Sequence, residues 1–154
     1  MGRLCEVVPA EHAHVRHIGV GMRPEDALEA TCCGIMPRLA LRRSFFNAII
    51  SRTLLVDGEP AAIWGLGGVV LNGTAEPWLI TTPLVEKVPV TFVKWAEDEI
   101  DRMLAMYPRL ENNPGVAAFY RRSIKFLLFL GFTIDPPKPV GPQGSLFHRF
   151  WMER

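Results

Sequence analysis

Two dipeptides, Asp57-Gly58 and Asn72-Gly73, punctuate the apolar middle of this chain and constrain its fold more than any other feature. Such pairs tolerate the positive φ values of the tight turns whose twist matches paired strands. Arg52–Val56 precedes the first turn, Ala61–Leu71 joins the two, and Pro77–Thr82 follows the second. The spacing predicts a three-stranded antiparallel meander. Gly65, Gly67 and Gly68 fall inside its middle strand, where glycine marks a bulge, a bend packed on a helix, or a close approach by a ligand or another backbone.

Helical patterns flank the meander. Leu4–Val8 reads as a short strand closed by Pro9, and Ala10–Val20, Pro24–Cys33 and Pro37–Ile50 read as helices. Pro24, Glu25 and Asp26 put a proline and two acids in a first helical turn, where a missing N–H is harmless and the macrodipole favours negative charge. After the meander, Val90, Val93, Trp95, Ile100, Met103, Leu104 and Tyr107 approximate the spacing of an amphipathic helix over Pro89–Tyr107. A second helix is predicted over Gly115–Leu130, with Phe119, Ile124, Leu127, Leu128 and Leu130 facing a core and Arg121, Arg122 and Lys125 facing solvent. Gly131 stops it. Phe132–Ile134 and Leu146–Met152 read as strands around a proline-rich loop, Pro136–Gly144. That order predicts one α+β domain over residues 1–154, not a regular βαβ alternation.

Composition narrows the function classes. Of 154 residues, 17 are Lys or Arg and 16 are Asp or Glu, so the chain lacks the positive field that displaces counterions from nucleic acid. The longest apolar stretches fall short of the run of about 20 residues a membrane span needs, and the first ten residues hold no export-signal core. Cys5, Cys32 and Cys33 are an odd number, which suits a reduced, cytosolic-type protein. His12, His14 and His17 share a helical segment but show no paired metal-ligand spacing, so no metal is expected. No serine or cysteine sits in a nucleophile elbow, and Gly65-Leu66-Gly67-Gly68 lacks both the dinucleotide fingerprint and the Lys-Ser/Thr of a phosphate loop.

The segment Ser123-Ile124-Lys125-Phe126-Leu127-Leu128-Phe129-Leu130-Gly131-Phe132 resembles the penultimate helix and following strand of the Gcn5-related N-acetyltransferase superfamily, whose helix ends in Leu-Gly-Phe. The meander, the helix after it and the last two strands fit the same topology. More narrowly, Pro77–Thr82 and Gly144–Phe150, with its Phe147-His148-Arg149-Phe150, are similar to acetyltransferase-like proteins of tailed bacteriophages and prophages, including a short internal virion protein. The resemblance implies an acyl-CoA N-acyltransferase fold, a mixed and mostly antiparallel sheet flanked by helices. It also implies a location in the cytoplasm of a bacterial host or in the virion, with either virion proteins or an amine substrate as partner.

In that superfamily acetyl-coenzyme A lies where the fourth and fifth strands part, its pyrophosphate at the next helix N-terminus. The resemblance thus assigns cofactor contacts to Leu79, Ile80, Thr81, Thr82, Val88 and Val90. It assigns the catalytic roles to Glu76 as base and to Tyr120 as the nearest phenol. Two departures matter. Thr82–Val90 lacks the Gln/Arg-x-x-Gly-x-Gly/Ala motif: it has no glycine, Pro83 and Pro89 remove two N–H donors, and Glu86 adds a negative charge. Leu127 stands where active relatives often carry a tyrosine. The expectation is a phage-type protein of virion structure or assembly with a degenerate acetyl-coenzyme A site; the alternative is an active acetyl-coenzyme A-dependent N-acetyltransferase.

Overall fold

The computed structural model describes residues 2–70 and 73–154. Strand β1 (Cys5–Pro9) leads into helices α1 (His12–Gly21), α2 (Pro24–Cys32) and α3 (Pro37–Phe46). The meander follows as β2 (Ile50–Val56), β3 (Glu59–Val70) and β4 (Thr74–Thr81). A 3-10 turn (Pro83–Lys87) precedes α4 (Pro89–Met106), β5 (Arg109–Ala117), α5 (Arg121–Leu130), β6 (Thr133–Ile134), β7 (Lys138–Val140) and β8 (Ser145–Glu153). The strands form one sheet in the order β1-β2-β3-β4-β5-β8-β6, with β7 also on β8. Every pairing is antiparallel except β4 with β5.

The first hairpin forms at its expected turn: Asp57 and Gly58 both take positive φ, 51° and 80°. Asn72 of the second turn lies outside the described residues, but β3 and β4 on either side pair antiparallel as expected. The glycines of β3 divide the readings offered for them. Gly68 has φ +61° beside an irregularity in register between Gly67 and Val70, so it serves a bulge. Gly65 makes room: a Cβ there would stand 2.5 Å from the Ile50 carbonyl oxygen and 2.8 Å from the Trp78 ring.

Strand alternation sends side chains to two layers. Ile63 on β3 and Trp78 and Ile80 on β4 pack with Ile18 of α1 and Leu41 of α3. Trp64 and Leu66 face the larger core, which Met103 of α4 and Leu127 of α5 complete.

The expected helix over Gly115–Leu130 is corrected by the structure. Gly115, Val116 and Ala117 belong to β5, paired across Val116–His148 and Ala117–Phe147, and the helix starts only at Arg121. Backbone pairing to β8 overrides the helical reading, since Gly115 has φ +95°, outside the helical range. The inward stripe of α5 is consequently Ile124, Leu127 and Leu130, while Phe119 and Leu128 are 42% and 56% exposed. The proline-rich loop is also corrected, because Lys138–Val140 pairs with β8.

Candidate active site

Among the described residues, β4 and β5 pair only at Thr74–Arg109 and Ala75–Leu110, after which the strands part. On the far side, β5 stays with β8 through an irregularity between Asn112 and Val116. Gly115 lies so close to β8 that a Cβ would stand 1.8 Å from the His148 carbonyl oxygen. Asn112 spans the gap near its closed end. Its amide donates to the Pro77 carbonyl at 2.7 Å and its oxygen accepts the Gly115 N–H at 3.1 Å.

A cavity of about 410 Å³ occupies the opening. Trp78 and Ile80, from the α1 and α3 layer, and Leu79, Phe92 and Leu127, from the α4 and α5 layer, all line it, so it reaches both faces of the sheet. The free edge of β4 can be read from hydrogen bonding. Backbone groups of alternate strand residues point to opposite edges. Pro77, Leu79 and Thr81 face the gap, as the bonds from Asn112 to Pro77 and from Thr81 to Asp26 show. Pro77 has no N–H, and both backbone groups of Thr81 are taken, by Asp26 and by the Arg23 N–H. Among the described residues, Leu79 alone on this stretch of edge keeps an N–H and a carbonyl without a protein partner.

Helix α2 bridges the open end. Asp26 accepts hydrogen bonds from the Thr81 N–H and hydroxyl, both at 3.0 Å, while Glu29 accepts the Ala117 N–H at 2.7 Å. Carboxylates three residues apart share one helix face, so one turn of α2 holds the β4 lip with one acid and the β5 lip with the next. Tyr120, at the start of α5, is 5% exposed and its hydroxyl lies in the neighbourhood of Asp26. The Arg23 guanidinium lies 5.9 Å from the centre of its ring.

Burial sets the protonation of this group. It raises Asp26 above the usual carboxylate range, against the opposing bonds from Thr81, the Tyr120 hydroxyl and the charge of Arg23. It pushes Glu29 up to about 8, helped by the negative charge of Asp26 and opposed by the Ala117 N–H. Tyr120 is raised too, first by burial and then by Asp26, and stays a phenol. An acid whose folded pKa exceeds its unfolded value destabilises the fold as pH rises between the two. Stability is therefore expected to fall from about pH 4.5 to about pH 8, by at most about 1.4 kcal/mol per pH unit for Glu29 alone. Melting temperatures across that range check this, and Glu29→Gln should flatten the curve.

The structure brings some residues singled out in the sequence together and separates others. Leu79, Ile80, Thr81 and Tyr120 line the cavity. Thr82 lies beside it as the cap of the 3-10 turn, its hydroxyl accepting the Leu84 N–H at 3.3 Å. Val88 is a core residue at 8% exposure, whereas Val90, in the first turn of α4, is 75% exposed. Glu76 sits within β4 opposite Gly67, its pKa raised by burial and by the charge of Glu111, and it does not line the cavity. Glu86 is not the free negative charge its position suggested, since Arg23 (3.2 Å) and Arg122 both bind its carboxylate. His12 packs against Phe45 and Phe46, His14 accepts the Glu11 N–H, and His17 lies 3.5 Å from Glu59. Among the described residues, no group of three or more His, Cys, Asp or Glu is placed to hold a metal, and no helix is long and apolar enough to cross a membrane.

Sequence reasoning missed Arg23, Asp26 and Glu29 as members of the site. The available signal was the three-residue spacing of Asp26 and Glu29, which puts both acids on one face of a short helix.

Among the described residues, a mixed sheet of eight strands, five helices and a gap between β4 and β5 make up the Gcn5-related N-acetyltransferase fold, as similar solved structures show. The chain is similar over 97% of its length to a Gcn5-related N-acetyltransferase from Kribbella flavida, with TM-score 0.70, 14% identity and 98% of that chain covered. It is similar over the same share to the ribosomal-protein-S18-alanine N-acetyltransferase of Escherichia coli, with TM-score 0.68, 16% identity and 94% covered. A third similar structure is spermidine N-acetyltransferase from Vibrio cholerae in complex with CoA and spermine, with TM-score 0.68, 11% identity and 95% covered. No protein-family model matches the sequence. No curated protein matches it either.

Proposed function

We propose that this protein is an acetyl-coenzyme A-dependent N-acetyltransferase acting on an amine. The observation that carries this reading is the cavity through the sheet at the β4–β5 gap, with the Leu79 N–H and carbonyl left open on its wall. Acetyl-coenzyme A would supply an acetyl group activated as a thioester. The open Leu79 N–H suits the thioester carbonyl, where a fixed donor stabilises the charge that develops on oxygen during attack. The apolar walls suit the pantetheine arm. At the other end, Pro89 occupies the first position of α4 and Phe92 already bonds the Val88 carbonyl, so Val90 and Thr91 supply the free N–H groups for phosphate. Tyr120, buried as a phenol beside the gap, can donate a proton to a departing thiolate.

Calorimetric titration tests this reading. One-to-one binding of acetyl-coenzyme A is expected, weaker than the low-micromolar range that corresponds to about −8 kcal/mol, because proline and the absence of glycine leave the phosphate end with few donors. No binding at millimolar ligand would refute it. A second reading then leads: a phage or prophage protein that keeps the fold for virion structure or assembly. The Thr82–Val90 segment and the apolar, 8% exposed Leu127 favour that alternative.

A further inference from the structure

The acetyltransfer reading leaves the proton acceptor unidentified, and the inference here rests on that reading. An amine is protonated at neutral pH and has no lone pair to attack with, so a base must take one proton from it before a C–N bond can form. Glu76 was the sequence-level candidate, but it lies off the cavity wall. The acids that do line the cavity are Asp26, Glu29, Glu86 and Glu99. Three are engaged by cations or several donors. Asp26 accepts from both the Thr81 N–H and the Thr81 hydroxyl. Glu86 is bound by Arg23 and Arg122. Glu99 is bound by Trp64 and Arg52. Glu29 differs: among the described residues its hydrogen-bond partner is a single backbone N–H, that of Ala117 on the β5 lip, and the bond uses one carboxylate oxygen.

We infer that Glu29 is the catalytic base, taking a proton from a cationic primary amine that enters the gap from the α2 side. The Glu29 carboxylate takes one proton from R–NH3+, and the freed nitrogen forms the C–N bond as the C–S bond to coenzyme A breaks. Tyr120 donates its phenolic proton to the sulfur and regains one from the same nitrogen. The products are the amide, the thiol and a neutral Glu29, which then releases its proton to solvent.

The placement agrees with the electrostatics. Burial pushes Glu29 up to about 8, near the range in which a base both accepts a proton readily and is ionised in a useful fraction. The titratable groups that interact with it are Asp26 and Cys33 on α2 or its end and Tyr120 at the start of α5, and Arg23, Glu86 and Arg122 line the same cavity. Asp26 is the one whose charge bears most on Glu29, and it raises the pKa. Glu29 should therefore work as a base only above neutral pH, with rates climbing through about pH 8.

The experiment compares the wild-type protein with Glu29→Gln, whose amide oxygen still accepts the Ala117 N–H and so preserves the β5 lip. Acetyl-coenzyme A affinity is measured by calorimetry. Thiol release is then followed from pH 6 to 9.5 with n-butylamine and with spermidine as acceptors. For the wild type, kcat/KM is expected to rise about tenfold per pH unit and level off above about pH 8. Glu29→Gln should lose at least about 100-fold in kcat/KM and the bend in the profile, with the dissociation constant for acetyl-coenzyme A within about twofold of wild type. A merely structural residue would lower the rate without removing the bend. Retention of the bend in the variant, or saturable acetyl-coenzyme A binding with no thiol release from either amine, overturns the assignment of Glu29. Absence of acetyl-coenzyme A binding overturns the acetyltransferase reading itself.

Discussion

Gly115→Ala is expected to be the most damaging single methyl group that can be added to this protein. At φ +95° an L side chain is strained before any contact is considered. The contacts are then prohibitive: the new Cβ would stand 1.8 Å from the His148 carbonyl oxygen, 2.5 Å from its carbonyl carbon and 2.7 Å from the Arg149 Cα. All three are backbone atoms of β8, so no rotamer change relieves the overlap. β5 must lift off β8 at the point where it parts from β4, and both the central ladder and the cavity wall go with it. A loss of at least about 3 kcal/mol is expected, in the range reserved for core disruption and special backbone positions. Urea denaturation followed by far-ultraviolet circular dichroism checks this. Gly67→Ala serves as the control, since nothing lies within 4 Å of its Cβ position and its φ is not in the left-handed range.

Glu99→Ala should follow closely. Glu99 is 7% exposed beneath α4, where one oxygen accepts the Trp64 indole N–H at 3.0 Å and the other pairs with Arg52 at 3.1 Å. Arg52 and Trp64 face each other across β2 and β3, so one carboxylate satisfies two neighbours on the sheet. Removing it strands a half-buried guanidinium and a buried indole donor, and breaking such a pair from one side costs about 3–5 kcal/mol. Glu99→Gln keeps an acceptor for Trp64 and should lose less. Urea midpoints of the two variants separate the contribution of the charge from that of the hydrogen bond.

Where local chemistry decides the structure, the sequence was readable. Asp57-Gly58 supplies the two positive φ values of its turn, Pro24 and Pro37 begin α2 and α3, and Gly131 ends α5 in the left-handed conformation. β5 was hidden for a physical reason. Asn112-Asn113-Pro114-Gly115 has turn chemistry, and what makes it a strand is β8, whose residues come more than 30 positions later. The site was hidden in the same way. Asp26 satisfies helix-start expectations entirely, and nothing near it in sequence reveals Thr81 as its partner. Tyr120 could be nominated from its local offset to Leu-Gly-Phe, and Leu79, Ile80 and Thr81 from the recognisable hairpin they follow, and all four line the cavity.

The brace that α2 lays across the gap also bears on how the molecule is assembled. Its two carboxylates tie residues 55 and 88 positions apart, so each closes a long loop whose entropy must be overcome by other contacts first. Contacts of that range belong to the late, slow part of collapse. The gap borrows one wall from the meander, another from the C-terminal strands and its tie from the N-terminal helices, so no excised fragment of the chain contains it. Whatever the cavity binds, it binds only in a chain that has finished folding.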